Sequence, residues 1–349
     1  MILNIYGGIC VKMSPKERFE AAMRLADVDR VPAASPVQTG TIPLMQASGA
    51  SWPEAHREPE KMAKLALAAH EIAGIESVRV PFCGTVEVEA IGCELDGWQS
   101  DRQPSTKTYL LKSEEMIDKA QVPDPHTSAR MPVVIKSVKI LNDKIGKTLP
   151  VMAAIVSPFE FAVRSRGMDS VMRDIFTKPN LLRKVLDFAV KVETEYGKAL
   201  YEAGATALFL IDGSSQFEVL GPKLYEDFSK PYTKTLIGNL GGLTILHICG
   251  NSTQILDKMA DTGATALSVD HSVKIGEAKN IVKNRAAIVG NVDPTRSLFM
   301  GTAQEVENEA KNCVEQGTDV LAPGCGFSPQ TPIENMKAVV TAAHKYRKK

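Results

Sequence analysis

From about residue 30, short β-branched and aliphatic runs alternate with longer amphipathic ones. The short runs read as buried strands over 31–35, 77–82, 149–156, 205–212, 243–249, 266–270, 286–293 and 319–323. The longer runs repeat their apolar positions at helical spacing over 53–73, 129–145, 180–203, 222–240, 253–261, 275–283, 303–315 and 332–346. "YEAGATALFLID" and "MADTGATALSVD" show one device twice: a helix end, a glycine, then a buried strand. Ser14, with Glu17 three residues on, marks the start of an earlier helix. Residues 1–12 read as an N-terminal extension, and 13–349 as one domain.

Strand–helix alternation predicts a parallel sheet covered by helices, and eight repeats favour an α/β fold of the (β/α)8 TIM-barrel type. An open doubly wound sheet would want a glycine-rich phosphate loop after an early strand, and "PVQTGTIPLMQASGAS" carries no such fingerprint. One stretch breaks the rhythm. Residues 83–125 read as a β-rich insertion after strand two, with a hairpin in "TVEVEAIG" and "TKTYLLK", set at the barrel mouth where loops after strands gather.

Bulk properties narrow the function more than the fold. The 349 residues hold 41 basic and 41 acidic side chains, for zero net charge. That leaves no electrostatic footprint for nucleic acid or an anionic membrane surface. No apolar run approaches the roughly 18 residues of a membrane span, and the first residues make a poor signal peptide. The six cysteines are sparse and irregular, which suits reduced thiols and a cytoplasmic protein.

In a barrel, chemistry gathers at the C-terminal ends of the strands. The ends here carry Arg79, Asp212, His247 with Cys249, Asp270 with His271, Asn291 with Asp293, and Cys325 in "APGCGFSPQTP". Period two puts His247 and Cys249 on one face of their strand and Leu246 and Ile248 on the other. The bulky pair is expected to face the helices, which turns the histidine and cysteine toward the axis. Alone, His-x-Cys is a weak signal, better explained by a buried, satisfied histidine beside a small residue. Cys325, flanked by two glycines after the last strand, supplies a third donor from across the axis. One imidazole and two thiolates suit zinc, and three protein ligands leave a position open for chemistry. Cys10, Cys83, Cys93 and Cys313 read as structural, and nothing pairs His271 with the metal set.

These motifs carry a resemblance. "SPKERFEAAMRLADVDRVPA", "ASGASWPEAH", "SVRVPF", "LHICGNST", "IVGNVDP" and "APGCGFSPQTP" together resemble the uroporphyrinogen-decarboxylase-like superfamily, within it the methylcobamide:coenzyme M methyltransferases of methanogenic archaea. The likeness covers nearly the whole chain. One departure separates the branches: residues 37–51 hold neither an arginine nor an acid, where decarboxylases of this outline carry an arginine-bearing loop for porphyrinogen carboxylates. The resemblance implies zinc on His247, Cys249 and Cys325. It implies methyl transfer from a methylated corrinoid, such as methylcobalamin, to the thiol of coenzyme M (2-mercaptoethanesulfonate), taken here as methanol-linked. The corrinoid would arrive on a separate corrinoid-binding protein. On this reading Arg79 and Asn291 are candidates for binding the cofactor's charged group, Arg79 for the sulfonate. Asp212 and Asp293 are candidates to orient His247, complete the resting metal site or take the thiol's proton.

Overall fold

The computed structural model describes residues 12–348, so the expected extension lies almost wholly outside the described residues. Six parallel strands form one sheet in chain order: Val78–Val80, Val151–Val156, Ala207–Ile211, Leu243–Ile248, Ala266–Val269 and Ala287–Val289. Along each, side chains alternate between two cores. Inward-facing Met152, Ala154, Phe209, Ile245, Ala287 and Val289 make a narrow inner cluster of mostly small residues. Outward-facing Leu208, Leu210, Leu246, Ile248, Leu267 and Ile288 pack into the larger core beneath the helices. Burying each such side chain contributes roughly 1.5–3 kcal/mol. The Pro15–Met23 helix plugs one end of the inner cluster with Phe19, Ala22 and Met23. It starts on the expected capping box: the Ser14 hydroxyl accepts from the Glu17 N–H at 3.2 Å, and Glu17 Oε2 accepts from the Ser14 N–H at 2.8 Å.

The ladder does not close as eight strands. Segments 31–35 and 319–323 flank it without becoming strands. Val320 and Pro323 make isolated bridges to Val289 and Val292. The Leu321 N–H donates to the Pro32 carbonyl at 2.9 Å, which joins the two edges. Pro32, Pro36 and Pro323 lack the N–H groups that a continuous ladder needs.

The insertion also departs from its pattern. Val86–Ala90 is a short helix, and the β-pairing inside 83–125 is limited to Leu95–Asp96 against Ser105–Thr106. Val86 and Val88 alternate as a strand would, but Glu87 between them is buried too. Glu87 Oε1 accepts the Val156 N–H at 3.1 Å, so the segment is enclosed on every side and is not a half-buried strand. Two helices, Pro158–Arg166 and Met168–Thr177, precede the expected Pro179–Glu202 helix. The helix expected over 222–240 begins just past a break at Gly221 (φ 62°), inside Phe217–Leu224, and runs through a π-turn, Tyr225–Ser229, before Lys230–Leu240. Among the described residues, no helix is long and apolar enough to cross a membrane.

Candidate active site

Leu243–Ile248 pairs with Ala207–Ile211 on one side and Ala266–Val269 on the other, and His247 stands opposite Ile211 and Ser268. Leu246 and Ile248 anchor it to the helix layer, and the buried His247 ring turns inward. Its face stacks on Phe209, centroids 5.5 Å apart. Nδ1 meets the Ser268 hydroxyl at 3.1 Å and the Ser268 carbonyl at 3.2 Å. That leaves Nε2 for the sulfurs.

Nε2 lies 3.3 Å from Cys249 Sγ, and Cys249 Sγ lies 3.9 Å from Cys325 Sγ. All three donor atoms fall within 4.8 Å of one another. The sulfurs are too far apart for a disulfide, whose S–S bond is about 2.05 Å. A tetrahedral zinc with bonds of about 2.3 Å to sulfur and about 2.0–2.1 Å to nitrogen separates its ligand atoms by roughly 3.8 Å (S to S) and roughly 3.5 Å (S to N). The donor set suits zinc, and the two measured separations, 3.3 and 3.9 Å, are close to those values. The hydrogen bond between the two thiols favours ionisation of Cys325 and opposes that of Cys249, so the pair carries one shared proton. Burial works against a charged His247, but Cys325 outweighs it and raises the imidazole. Cys325 reaches this position because Gly324 packs backbone to backbone against the next loop: a Cβ there would sit 2.5 Å from the His271 nitrogen.

The three donors line a cavity of about 140 Å³, together with Arg79, Phe209 and Gln38. Arg79 is fully buried, 5.6 Å over the Phe209 ring, with no partner for Nε or Nη1. Burial pushes its guanidinium down to about 10. A buried cation with two unpartnered donors, facing the same cavity as the three candidate metal donors, has the chemistry to receive a small anion.

Other expected residues go elsewhere. The alternation of the Ala207–Ile211 strand carries Asp212 to the outer face. There its Oδ2 accepts from the Ser229 hydroxyl at 3.2 Å, and burial, then Glu160, raises it to about 7. Asp293 Oδ1 caps a turn by accepting from the Thr295 and Arg296 N–H groups at 2.8 and 2.9 Å. The partner of His247 Nδ1 is Ser268 and neither aspartate. Asn291 braces loops, its amide donating to the carbonyls of Asp270 and Val273 at 2.8 and 2.6 Å. His271 sits half exposed between Asp270 (3.0 Å) and Asp293 (3.5 Å). Gln38 and Cys83 line the cavity and were not among the expected site residues. Gln38 was findable as a polar residue just past strand one.

The uroporphyrinogen decarboxylase (URO-D) family model matches residues 14–346, and the chain belongs to that family. Within it the chain is 41% identical over 337 residues to the methylcobamide:CoM methyltransferase MtbA of Methanosarcina mazei, covering 96% of this chain and 98% of that one. It is 38% identical over 333 residues to the methylcobamide:CoM methyltransferase MtaA of Methanosarcina barkeri, covering 95% and 98%. A solved structure of a methyltransferase from Methanosarcina mazei superposes with a TM-score of 0.93 at 39% identity, covering 95% of this chain and 99% of that chain. The resemblance read from the motifs is borne out, as is the α/β fold with its parallel sheet.

Proposed function

We propose that this protein is a methyltransferase that moves a methyl group from a methylated corrinoid to the thiol of coenzyme M. The observation that carries the reading is one small cavity holding His247, Cys249 and Cys325 in zinc-like spacing, with the unpartnered Arg79 beside them. The relatives' names, methylcobamide:CoM methyltransferase, supply the two substrates.

His247 Nε2, Cys249 Sγ and Cys325 Sγ would hold the zinc. When bound, zinc acts as a Lewis acid that keeps a fourth, thiol ligand deprotonated near neutral pH, where a free thiol of pKa about 8.5 is only a few per cent ionised. Ser268 fixes the His247 ring and leaves Nε2 aimed inward. Arg79 receives the sulfonate and sets the direction of the two-carbon chain. The substrate thiolate attacks the methyl carbon: the S–C bond forms, the Co–C bond breaks, and its electron pair stays on cobalt. Phe209 and Ile211 give the cavity its apolar walls.

The cavity's volume, about 140 Å³, is well under the roughly 300–1,000 Å³ of pockets that enclose drug-sized ligands. It suits a molecule of coenzyme M's size, and a corrinoid must present its methyl group from outside, held by a corrinoid-binding protein at the mouth. The same volume argues against porphyrinogen decarboxylation. The free cysteines among the described residues suit a reducing, cytoplasmic setting.

The test is metal analysis of the wild type against Cys249→Ser and Cys325→Ser, paired with demethylation of methylcobalamin by coenzyme M. We expect about one zinc per wild-type chain, little in either variant, and loss of turnover in both. A metal-free wild type that still demethylates methylcobalamin would sink the zinc assignment. No turnover with coenzyme M, but turnover with another thiol, would move the acceptor. Corrinoid proteins charged from methanol and from methylamines, offered side by side, test the methanol-linked assignment.

A further inference from the structure

Cys83 has surroundings that the transfer reaction does not use. It lines the same cavity as Arg79, His247, Cys249 and Cys325. Arg130 Nη1 donates to its sulfur at 3.5 Å and the Thr85 hydroxyl donates at 3.4 Å. Arg130 Nη2 also donates to Thr85 Oγ1 at 3.1 Å, so the two donors are locked together. Arg130 is itself buried, ion-paired with Glu89, and lies 4.9 Å from the Trp98 ring centroid. His56 is buried nearby, its ring stacked on Trp52. Burial opposes ionisation of Cys83, but Arg130, His56 and Thr85 overcome it and hold the thiol well below its ordinary value. An inert buried cysteine needs no such cage; a nucleophilic one does.

We propose that Cys83 is a thiol–disulfide exchange site that captures the disulfide form of the sulfonate-bearing thiol substrate and so shuts the cavity. The unpartnered Nε and Nη1 of Arg79 supply the recognition, because a disulfide with a 2-sulfonatoethyl arm enters sulfonate first. The Cys83 thiolate then attacks one sulfur of R–S–S–R. A new Sγ–S bond forms as the original S–S bond breaks, and R–S⁻ leaves with the electron pair. The only co-reactant is the disulfide itself, and no proton is consumed. The tethered arm stays where the free thiol would bind, beside His247, Cys249 and Cys325. Attack by an external thiol reverses the step and reopens the cavity. A low-pKa thiolate in an electropositive cage is suited to such exchange, in either direction.

This inference rests on the reading of the cavity as a site for a sulfonate-bearing thiol. Methyl transfer by untreated protein tests that reading separately. Zinc-loaded wild-type enzyme is incubated with the symmetric disulfide of 2-mercaptoethanesulfonate, or with the uncharged bis(2-hydroxyethyl) disulfide. It is then mapped by peptide mass spectrometry, with bound zinc measured alongside. The expected result is one adduct per chain, on Cys83, with zinc retained. The sulfonate reagent should react on the order of tenfold faster than the neutral one, as a charge-assisted contact to Arg79 implies. Transfer activity should fall with adduct formation and return with excess free thiol. Cys83→Ser and Cys83→Ala should form no adduct and keep their own untreated activity after the same exposure. Adducts confined to Cys249 or Cys325 with release of zinc, no adduct at all, or equal rates for both reagents would overturn the proposal, even where methyl transfer by untreated protein is normal.

Discussion

Replacing Arg79 by methionine separates the binding of the anion from the chemistry of the thiol. The guanidinium is fully buried with Nε and Nη1 unsatisfied, and burial pushes it down to about 10. That net depression, burial less the opposing charges of Cys83 and, above about pH 7, Glu87, corresponds to about 3 kcal/mol of folding cost. The cost is present at every pH below about 10, because the unfolded arginine is charged there at no penalty. Arg79→Met should therefore make the ligand-free protein more stable by about 1–3 kcal/mol in chemical denaturation. The same change should weaken coenzyme M. Removing one member of a buried charge pair costs about 2–5 kcal/mol. The expected rise in KM for coenzyme M is on the order of a hundredfold, with zinc content unchanged. KM for 2-mercaptoethanol, which lacks the sulfonate, should move less than about threefold. Coenzyme M should raise the melting temperature of the wild type and not of the variant. If both thiols weaken alike, or KM for coenzyme M stays within about threefold of wild type, Arg79 is not the sulfonate's partner.

Two further outcomes probe the groups behind the site. Ser268→Ala removes the hydroxyl at 3.1 Å from His247 Nδ1 but leaves the carbonyl at 3.2 Å, so zinc affinity should fall by about tenfold, read by chelator competition. Glu87 is raised to about 7 by burial, so the folded state holds a proton that the unfolded carboxyl loses near pH 4. Wild-type stability should then fall as pH rises from about 4 to about 7 and level off above. Glu87→Gln keeps the acceptor for the Val156 N–H and removes the charge. It should match the wild type near pH 4 and exceed it by up to about 3 kcal/mol at pH 8, measured by denaturation across pH. A parallel pH dependence in wild type and variant would clear Glu87 of the effect.

What was legible in the sequence followed from periodicity. Period two set Leu246 and Ile248 outward and His247 and Cys249 inward, and the structure keeps that alternation. The helix expected over 303–315 from its apolar spacing is found at those residues, and the structure starts it on a capping box of Thr302 and Glu305. Where burial ceased to alternate, the reading failed. Glu87 lies buried between two buried valines, and an acid in that place looks like the solvent face of a strand. The edge segments failed for a different reason: their apolar content signals a strand, but Pro32 and Pro323 withhold the N–H groups that a ladder requires.

The site shows the same division more sharply. The three candidate donors were legible as a group because period two put His247 and Cys249 on one face and Cys325 follows the last strand, and the structure brings them within 4.8 Å of one another. The aspartates at strand ends stand away from His247 Nδ1, because composition marks a strand end as polar without saying which face it takes. Asp212 follows Ile211, an inward residue, so the alternation that brought His247 inward sends Asp212 out to Ser229. Ser268 was invisible as the partner of His247, since its role depends on the register that sets it opposite the histidine in the neighbouring strand. Cys83 was harder still. In "PFCGTVE" only Thr85 is local to the thiol, and a Cys-x-Thr pair signals nothing by itself, because the Arg130 guanidinium that donates to the sulfur comes from 47 residues on. A cysteine's chemistry is set by the charge the fold brings to it, here the Arg130 guanidinium, and that is the property a single sequence reports least.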